Sequence, residues 1–156
     1  MNTLTEKISD FLAQKNLAVA GVSRNPQGQA ANAIFKKLKE TGHQVYPINP
    51  RTDNVEGEHC YSDLKSIPAK IDGVVICTPA QAAEEIVREC ARLGIPRVWM
   101  HRAIGPGSVS EAAVRLCQEN KITVIAGACP IMYCLPVDFG HKCLRWMLGI
   151  FGKLPQ

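Results

Sequence analysis

Apolar residues follow two different spacings along this chain. Short, largely apolar runs predict buried strands at 17–22, 43–48, 73–77, 97–100 and 122–126. Between these runs, apolar residues recur every three or four positions, which is typical of a helix with one buried face. This spacing predicts helices over 30–41, 78–93 and 108–119, with further helices over 3–16 and about 137–151.

Capping and turn residues mark the ends of these predicted helices. A Ser or Thr side chain ahead of a helix accepts a hydrogen bond from one of its first N–H groups. The predicted caps are Thr3 with Glu6, Thr78 ahead of Pro79, and Ser108 with Glu111. Gly42 and Gly94 predict helix ends, because glycine readily adopts left-handed backbone angles. Pro47 lacks a backbone donor, so it should lie near the end of its strand.

The alternation of strands and helices predicts the fold class. Such βαβ units form parallel sheets, and the apolar character of the strands indicates that both faces of the sheet are covered. We therefore expect an α/β protein with a Rossmann-like, doubly wound parallel sheet of about five strands. The 156 residues, of which 46% are hydrophobic and 21% charged, indicate a single globular domain over residues 1–156.

The loops that follow the strands form the candidate ligand site. In doubly wound sheets, ligands bind beyond the carboxyl ends of the strands, where the strand order reverses. The loop GVSRNP at 21–26 precedes a helix whose free N–H groups can hold a phosphate. Ser23 adds a hydroxyl group and Arg24 a permanent positive charge. This loop alone is equally compatible with a purely structural turn.

Two features argue against an NAD site. The loop after the first strand lacks the G-x-G-x-x-G spacing of dinucleotide-binding loops. The second strand ends in Asn49, Pro50 and Arg51, without the acidic residue that bonds the ribose of NAD. Arg51 would instead attract a phosphate on the ribose. Both NADP and coenzyme A (CoA) carry such a phosphate, so the sequence favours either of them over NAD.

Several segments resemble the CoA-binding domain family, in matching order. They are AVAGVSRNP (18–26), VYPINP (45–50), GEHCYSDLKSIP (57–68), VVICTP (74–79), GIPRVWMH (94–101) and, as in a subset of the family, CPIMYCLPVDFGHKC (129–143). That family includes small stand-alone bacterial and archaeal proteins and the N-terminal domain of the succinyl-CoA synthetase alpha subunit. The chain departs from it at Ala31, where relatives often have Gly, and at Met100, where Gln often follows the Trp.

The resemblance implies that the chain binds CoA as its ligand, with these contacts. The loop after the first strand would hold the phosphates through Gly21, Val22, Ser23, Arg24 and Asn25. The adenosine would lie against Asn49, Pro50 and Arg51, and Thr78, Pro79, Met100 and His101 would complete the groove. We expect a CoA or acyl-CoA carrier or sensor.

Candidate catalytic groups are few, so we do not expect an enzyme. His101 follows the fourth strand and could act as a base, although contact with a ligand explains it equally simply. Cys129 follows the fifth strand and is either a reactive or a buried, inert thiol. Asp138, His141 and Cys143 are explained by the start of the last helix. The alternatives are an NADP-binding, oxidoreductase-like subunit and the nucleotide-binding part of an acyl-CoA ligase, which would need a partner subunit.

Charge, cysteines and the last helix define the expected partners and location. The net charge of +4 is small and scattered, so we expect an anionic small ligand and no nucleic acid. Seven cysteines without a C-x-x-C pair indicate reduced thiols and no metal site, and hence a cytoplasmic protein. We expect no signal peptide and no membrane partner. Surplus apolar residues in the last helix favour packing on the domain core or in a homodimer over a membrane-surface helix.

Overall fold

Five parallel strands form the central sheet in a computed structural model, which describes residues 2–135, 139–150 and 152. The strands are β1 (Asn16–Ala20), β2 (Gln44–Ile48), β5 (Gly73–Ile76), β6 (Arg97–Met100) and β7 (Thr123–Ala126), in the spatial order β2-β1-β5-β6-β7. A short antiparallel hairpin, β3 (Asn54–Val55) with β4 (Glu58–His59), follows β2 and was not predicted. The predicted doubly wound parallel sheet is confirmed.

Helices cover both faces of the sheet. They are α1 (Leu4–Leu12), α2 (Ala30–Glu40), α3 (Ala80–Leu93), α4 (Glu111–Glu119) and α5 (Phe139–Ile150), with a 3-10 turn at Pro130–Met132. Apolar residues of α1, α2 and α5 pack in one hydrophobic cluster, and those of α3 and α4 pack in a second. The strands supply both clusters, because successive side chains point to opposite faces of a sheet.

Strand β1 and Trp99 show how the core is divided. Leu17 and Val19 belong to the first cluster, whereas Ala18 lies in the second. Trp99 is fully buried in the first cluster and meets the ring of Phe11 edge-on, at 5.4 Å between centroids. Its indole N–H donates to the carbonyl of Gly127 at 3.0 Å, so the buried polar group is satisfied.

Helix α1 begins as predicted but ends earlier. Thr3 caps it and forms the reciprocal capping box with Glu6. The predicted helix over 3–16 stops at Leu12, because the chain must turn before β1 starts at Asn16. The main-chain N–H of Asn16 is bound there by the Asp72 carboxylate at 2.9 Å.

Two of the predicted helix caps are wrong. Pro79 occupies the cap position of α3 instead of Thr78, and it can offer no side-chain hydrogen bond. Helix α4 is capped by Ser110, whose hydroxyl accepts from the N–H of Ala113 at 3.3 Å. Ser108 is buried and its hydroxyl donates to the carbonyl of Thr78. The hydroxyl of Ser108 is thus engaged by the turn after β5 and does not cap the helix.

Proline at position 47 is accommodated because β2 is an edge strand. Its carbonyl points away from β1 and accepts from the N–H of Tyr61 at 2.9 Å. The missing donor of Pro47 therefore faces the outer edge, where no neighbouring strand requires it.

The last helix presents apolar side chains to solvent. Leu148 packs into the first cluster, whereas Trp146 is 70% exposed. The predicted helix over about 137–151 includes residues that lie outside the described part of the chain. Asp138 is one of them. Within the described residues, no helix combines the length and apolarity that crossing a bilayer requires. The homodimer stays a prediction.

Gly21 allows the turn after β1 to approach the turn after β5. It has φ +99°, and a Cβ atom there would lie 2.9 Å from the carbonyl carbon of Cys77. Only glycine fits both the backbone angle and the close approach. The position of this turn determines the shape of the ligand end of the sheet.

The cap assignment predicts a difference between two serine substitutions. Ser110→Ala should lower the free energy of unfolding by about 1 kcal/mol, because α4 loses its N-terminal hydrogen bond. Ser9→Ala on the exposed face of α1 is the matched control and should change it by less than about 0.5 kcal/mol. Urea unfolding measures both, and equal effects would contradict the cap.

The close approach at Gly21 predicts a second contrast. Gly21→Ala should lower the free energy of unfolding by more than about 2 kcal/mol, because backbone strain and overlap with Cys77 add. Gly28→Ala also has positive φ but meets no atom within 4 Å, so it should cost only about 1 kcal/mol. Thermal unfolding distinguishes the two, and a Gly21→Ala variant as stable as Gly28→Ala would refute the account.

Candidate functional site

A groove lies at the carboxyl end of the sheet, where the strand order reverses between β1 and β5. This position is the switch point at which doubly wound sheets bind ligands. The groove encloses about 650 Å³, which is within the usual range for small-molecule sites. We call it the switch-point groove. It is lined by the ends of β1, β2 and β5, the segment 62–64 and one face of α3.

The groove contains an apolar region that could hold a flat ring. Five side chains from three segments contribute to it, and we call this region the apolar slot. They are Ile48, Pro50, Leu64, Ala82 and Ile86. Residues 82, 86 and 89 share one face of α3, since they are four and three positions apart. An aromatic base that packs against these side chains would bury apolar surface.

A buried hydroxyl in the groove wall lacks a partner. The Oγ1 atom of Thr78 is buried and makes no hydrogen bond to the described residues. Its main-chain carbonyl is held by the hydroxyl of Ser108, which fixes the turn after β5. Buried hydroxyl groups normally have partners, so Thr78 is a candidate for contact with a ligand or with water.

Asn49 connects Arg51 to the turn after β1. Its side-chain amide donates to the carbonyl of Val22 at 2.7 Å. Its side-chain oxygen accepts from the N–H of Arg51 at 2.8 Å. Arg51 lines the groove and is exposed, so its guanidinium group can meet an anionic ligand.

The first loop, residues 21–29, is held from inside by Asn32. The side-chain oxygen of Asn32 accepts from the N–H of Ser23, and its amide donates to the carbonyl of Ser23, both at 2.8 Å. Helix α2 then begins without a side-chain cap and without an acidic residue in its first turn. Its first N–H groups can therefore bind an anion.

Three carboxylates also line the groove, and each already binds a protein donor. Glu85 accepts from Arg92 at 3.1 Å. Glu89 accepts from the N–H of Lys65 at 3.1 Å, and Asp63 accepts from the N–H of Ser66 at 2.7 Å. These contacts offset part of the negative charge that a phosphate-bearing ligand would otherwise encounter.

The structure brings most of the predicted site residues together. Those that line the groove are Gly21, Val22, Asn49, Pro50, Arg51, Thr78 and Pro79. Ser23, Arg24 and Asn25 follow in the first loop but do not line this groove, and the last two are exposed. The side chain of Met100 is fully buried in the second hydrophobic cluster and does not line the groove. The position of Met100 at the end of β6 was predicted. The face of the sheet to which its side chain points could not be read from the sequence.

His101 lies at the end of β6 and is half-buried. Its N–H donates to the carbonyl of Ile76 and its carbonyl accepts from Ser108, which ties β6 to β5. Burial lowers the pKa of the imidazole, so the neutral form is favoured at neutral pH. Stability should consequently fall as the pH drops below the ordinary histidine value.

The predicted thiol candidate is buried. Cys129 is 3% exposed, in the first hydrophobic cluster. Cys77 lines the groove, and burial raises the pKa of its thiol, which keeps it protonated and weakly nucleophilic. Among the described residues, no group of three acidic, His or Cys side chains is arranged to hold a metal.

Sequence reasoning missed several residues of the site. The groove-lining residues that it missed are Ala20, Gln29, Ile48, Ser62, Asp63, Leu64, Cys77, Ala82, Glu85, Ile86 and Glu89. The helical spacing of Ala82, Ile86 and Glu89 was available, but it did not reveal which side of α3 faces the groove. Asn32 was missed because a buried amide inside a helix has no pattern of its own.

Comparison with known proteins gives consistent matches. A family model described as a CoA binding domain matches residues 15–134. The alpha subunit of acetate–CoA ligase (ADP-forming) II from Pyrococcus furiosus is 32% identical over 117 residues, covering 74% of this chain and 25% of the subunit. The chain thus spans a quarter of that relative's length. YneT of Bacillus subtilis is 28% identical over 129 residues, covering 82% of this chain and 92% of YneT.

Solved structures share the same architecture. A hypothetical protein from Pyrococcus horikoshii OT3 has a TM-score of 0.75 at 28% identity, covering 83% of this chain and 88% of that protein. The cell-free ID.343 protein from Thermus thermophilus has a TM-score of 0.70 at 26% identity, with 92% and 99% covered. The family match over most of the sequence, on a fold with a groove at its switch point, establishes that this chain belongs to the CoA-binding domain family.

Proposed function

We propose that this chain binds CoA or an acyl-CoA in the switch-point groove. The observation that carries the proposal is the groove itself, which lies at the switch point of the sheet and is lined by seven of the predicted contact residues. Family membership supports CoA as this ligand.

The parts of CoA have matching surroundings in the groove. In the proposed complex, Arg51 binds the 3′-phosphate of the ribose, and the apolar slot holds the adenine. The first loop, from Gly21 to Asn25, binds the diphosphate together with the first N–H groups of α2. Pro79 lines the groove and borders the remainder of the ligand, whereas His101 does not line the groove. The carboxylates near the slot can accept from the adenine amino group.

We also propose that the chain is a carrier or sensor without catalysis of its own. Burial raises the pKa of the Cys77 thiol, which lowers its nucleophilicity, and Cys129 is buried in the first hydrophobic cluster. Binding would then act mainly by stabilising the folded state, by about 2.7 kcal/mol at a hundredfold excess of ligand over Kd. We further propose that the protein is cytoplasmic and forms a homodimer.

A ligase role is the second candidate, and one observation favours it. The 32% identity to an ADP-forming ligase subunit covers 74% of this chain. As the nucleotide-binding part of an acyl-CoA ligase, the chain would act only with a partner subunit that supplies the remaining chemistry. An NADP-binding, oxidoreductase-like subunit is a further alternative, because Arg51 could also meet a 2′-phosphate.

The ligand assignment predicts how arginine substitutions change affinity. Arg51→Ala should weaken CoA binding about tenfold or more, because a charge-assisted contact is lost. It should leave the affinity for dephospho-CoA, which lacks the 3′-phosphate, nearly unchanged. Arg24→Ala should lower the affinity for both CoA and dephospho-CoA, because in the proposed complex the first loop binds the diphosphate that both ligands carry.

Isothermal calorimetry measures these affinities, with Arg115→Ala on the exposed face of α4 as the matched control. NAD and NADP should bind less tightly than CoA to the unaltered protein. An NAD affinity equal to or greater than that for CoA would overturn the assignment. If Arg51→Ala lowered the affinities for CoA and for dephospho-CoA equally, Arg51 would not be the residue that binds the 3′-phosphate.

The absence of turnover is tested by incubation with acetyl-CoA and succinyl-CoA, with and without ATP. We expect a rise in melting temperature with ligand and no release of free thiol above background. Thiol release that disappears in His101→Ala or Cys129→Ser would demonstrate catalysis by the isolated chain. Such a result would reject the carrier proposal while leaving CoA binding intact.

A further inference from the structure

We infer that Asn32 is a positioning residue that couples the two phosphate-binding segments of the groove through a hydrogen-bonded bracket. The bracket consists of the side chains of Asn32, Asn49 and Glu56. It joins the first loop to the segment that carries Arg51, so that neither adopts its binding geometry independently. The coupling of ligand contacts rests on the proposed CoA function, whereas the coupling of the two segments does not.

Asn32 is placed where an amide is costly unless it is fully bonded. It is 1% exposed and lies within the first turn of α2. Its oxygen accepts from the N–H of Ser23 and its amide donates to the carbonyl of Ser23, each at 2.8 Å. Asparagine is a poor helix former, so helix propensity does not explain its presence. Its hydrogen bonds fix the main chain on both sides of Ser23.

The same amide reaches a second segment. The Nδ2 atom of Asn32 also donates to the carboxylate of Glu56 at 3.2 Å. Glu56 lies in the turn of the β3–β4 hairpin with φ +52°, a conformation that is unfavourable for residues with a side chain. The hairpin follows Arg51 directly along the chain. Asn32 therefore holds the first loop and the hairpin with one side chain.

Asn49 makes the complementary connection. It binds the carbonyl of Val22 and the N–H of Arg51 with the two ends of its amide, at 2.7 and 2.8 Å. Val22 and Ser23 are thus held by amides from two different elements. Displacement of Ser23 would be transmitted through Val22 and Asn49 to the main chain of Arg51.

Asn32 is not among the residues that line the switch-point groove, and together with Glu56 it lines a separate cavity beside the start of α2. Asn49 and Arg51 do line it, so their substitution would mix lost contacts with lost geometry. Substitution of Asn32 leaves the side chains that line the switch-point groove unaltered. An ion pair between Lys39 and Glu58 also holds the hairpin to α2, which favours retention of the fold in the variants.

The first experiment needs no ligand. Hydrogen exchange of backbone amides is measured by NMR in the unaltered protein, in Asn32→Ala and in Glu56→Ala. We expect faster exchange of the Arg51 amide in both variants, together with the Ser23 amide in Asn32→Ala. Ile34→Val, a buried substitution on the same helix, is the control for a general loss of stability. Faster exchange confined to Ser23, or equal to that in Ile34→Val, would overturn the inference.

The second experiment is a double-mutant cycle on CoA affinity with Asn32→Ala and Arg51→Ala. Coupled segments predict that the double variant loses less affinity than the product of the two single losses. Glu56→Ala with Arg51→Ala gives the same test at an exposed position, should Asn32→Ala fail to fold. Multiplicative losses would refute the coupling of ligand contacts. A failure of the unaltered protein to bind CoA would refute the proposed function instead. The hydrogen-exchange data would still test whether the bracket couples the two segments.

Discussion

The ligand end of this chain depends on the close approach of two turns, one after β1 and one after β5. The approach is possible because Gly21 has no side chain and adopts a left-handed backbone angle against the main chain of Cys77. Beyond this contact the chain runs to opposite faces of the sheet, because the helix after β1 packs in the first cluster and the helix after β5 packs in the second. The groove, its buried Thr78 hydroxyl and the exposed Arg51 all surround this point.

Hydrogen bonds made by three polar side chains, two of them buried, keep the loops of the groove in place. Ser108 holds the turn after β5, Asn49 joins β2 to the turn after β1, and Asn32 holds the main chain of Ser23. Each supplies the donors or acceptors that irregular backbone lacks, because loops have no ladder of their own. Such preorganisation lowers the entropy cost of ordering loops around a ligand. It is consistent with a domain whose main task is binding.

The fold was largely predictable from the sequence, because strand and helix spacings reflect burial directly. The five strands were located to within one or two residues, since apolar runs such as 73–77 have few alternative structures in a chain of this pattern. The caps at Thr78 and Ser108 failed, because two candidate residues lay close together and tertiary contacts chose between them. The hairpin at 54–59 escaped prediction because its strands contain only two residues each.

The site was predictable only where it follows strand ends. Arg51 and Thr78 were found because the switch-point rule places them, whereas Leu64 and Ile86 required knowledge of how α3 and the segment 62–64 pack. Met100 shows that a correctly predicted strand end does not establish where its side chain lies, because this side chain is buried in the core. Asn32 could not be found without its hydrogen bonds.

Titration of the isotopically labelled protein with CoA, followed by NMR of its backbone amides, tests the central claim most directly. We predict saturable shifts at Gly21, Ser23, Arg51 and Thr78, with little change at the exposed residues of α4. A chain whose amide signals are unmoved by CoA, or move only in α4 and α5, would contradict a CoA site at the switch point.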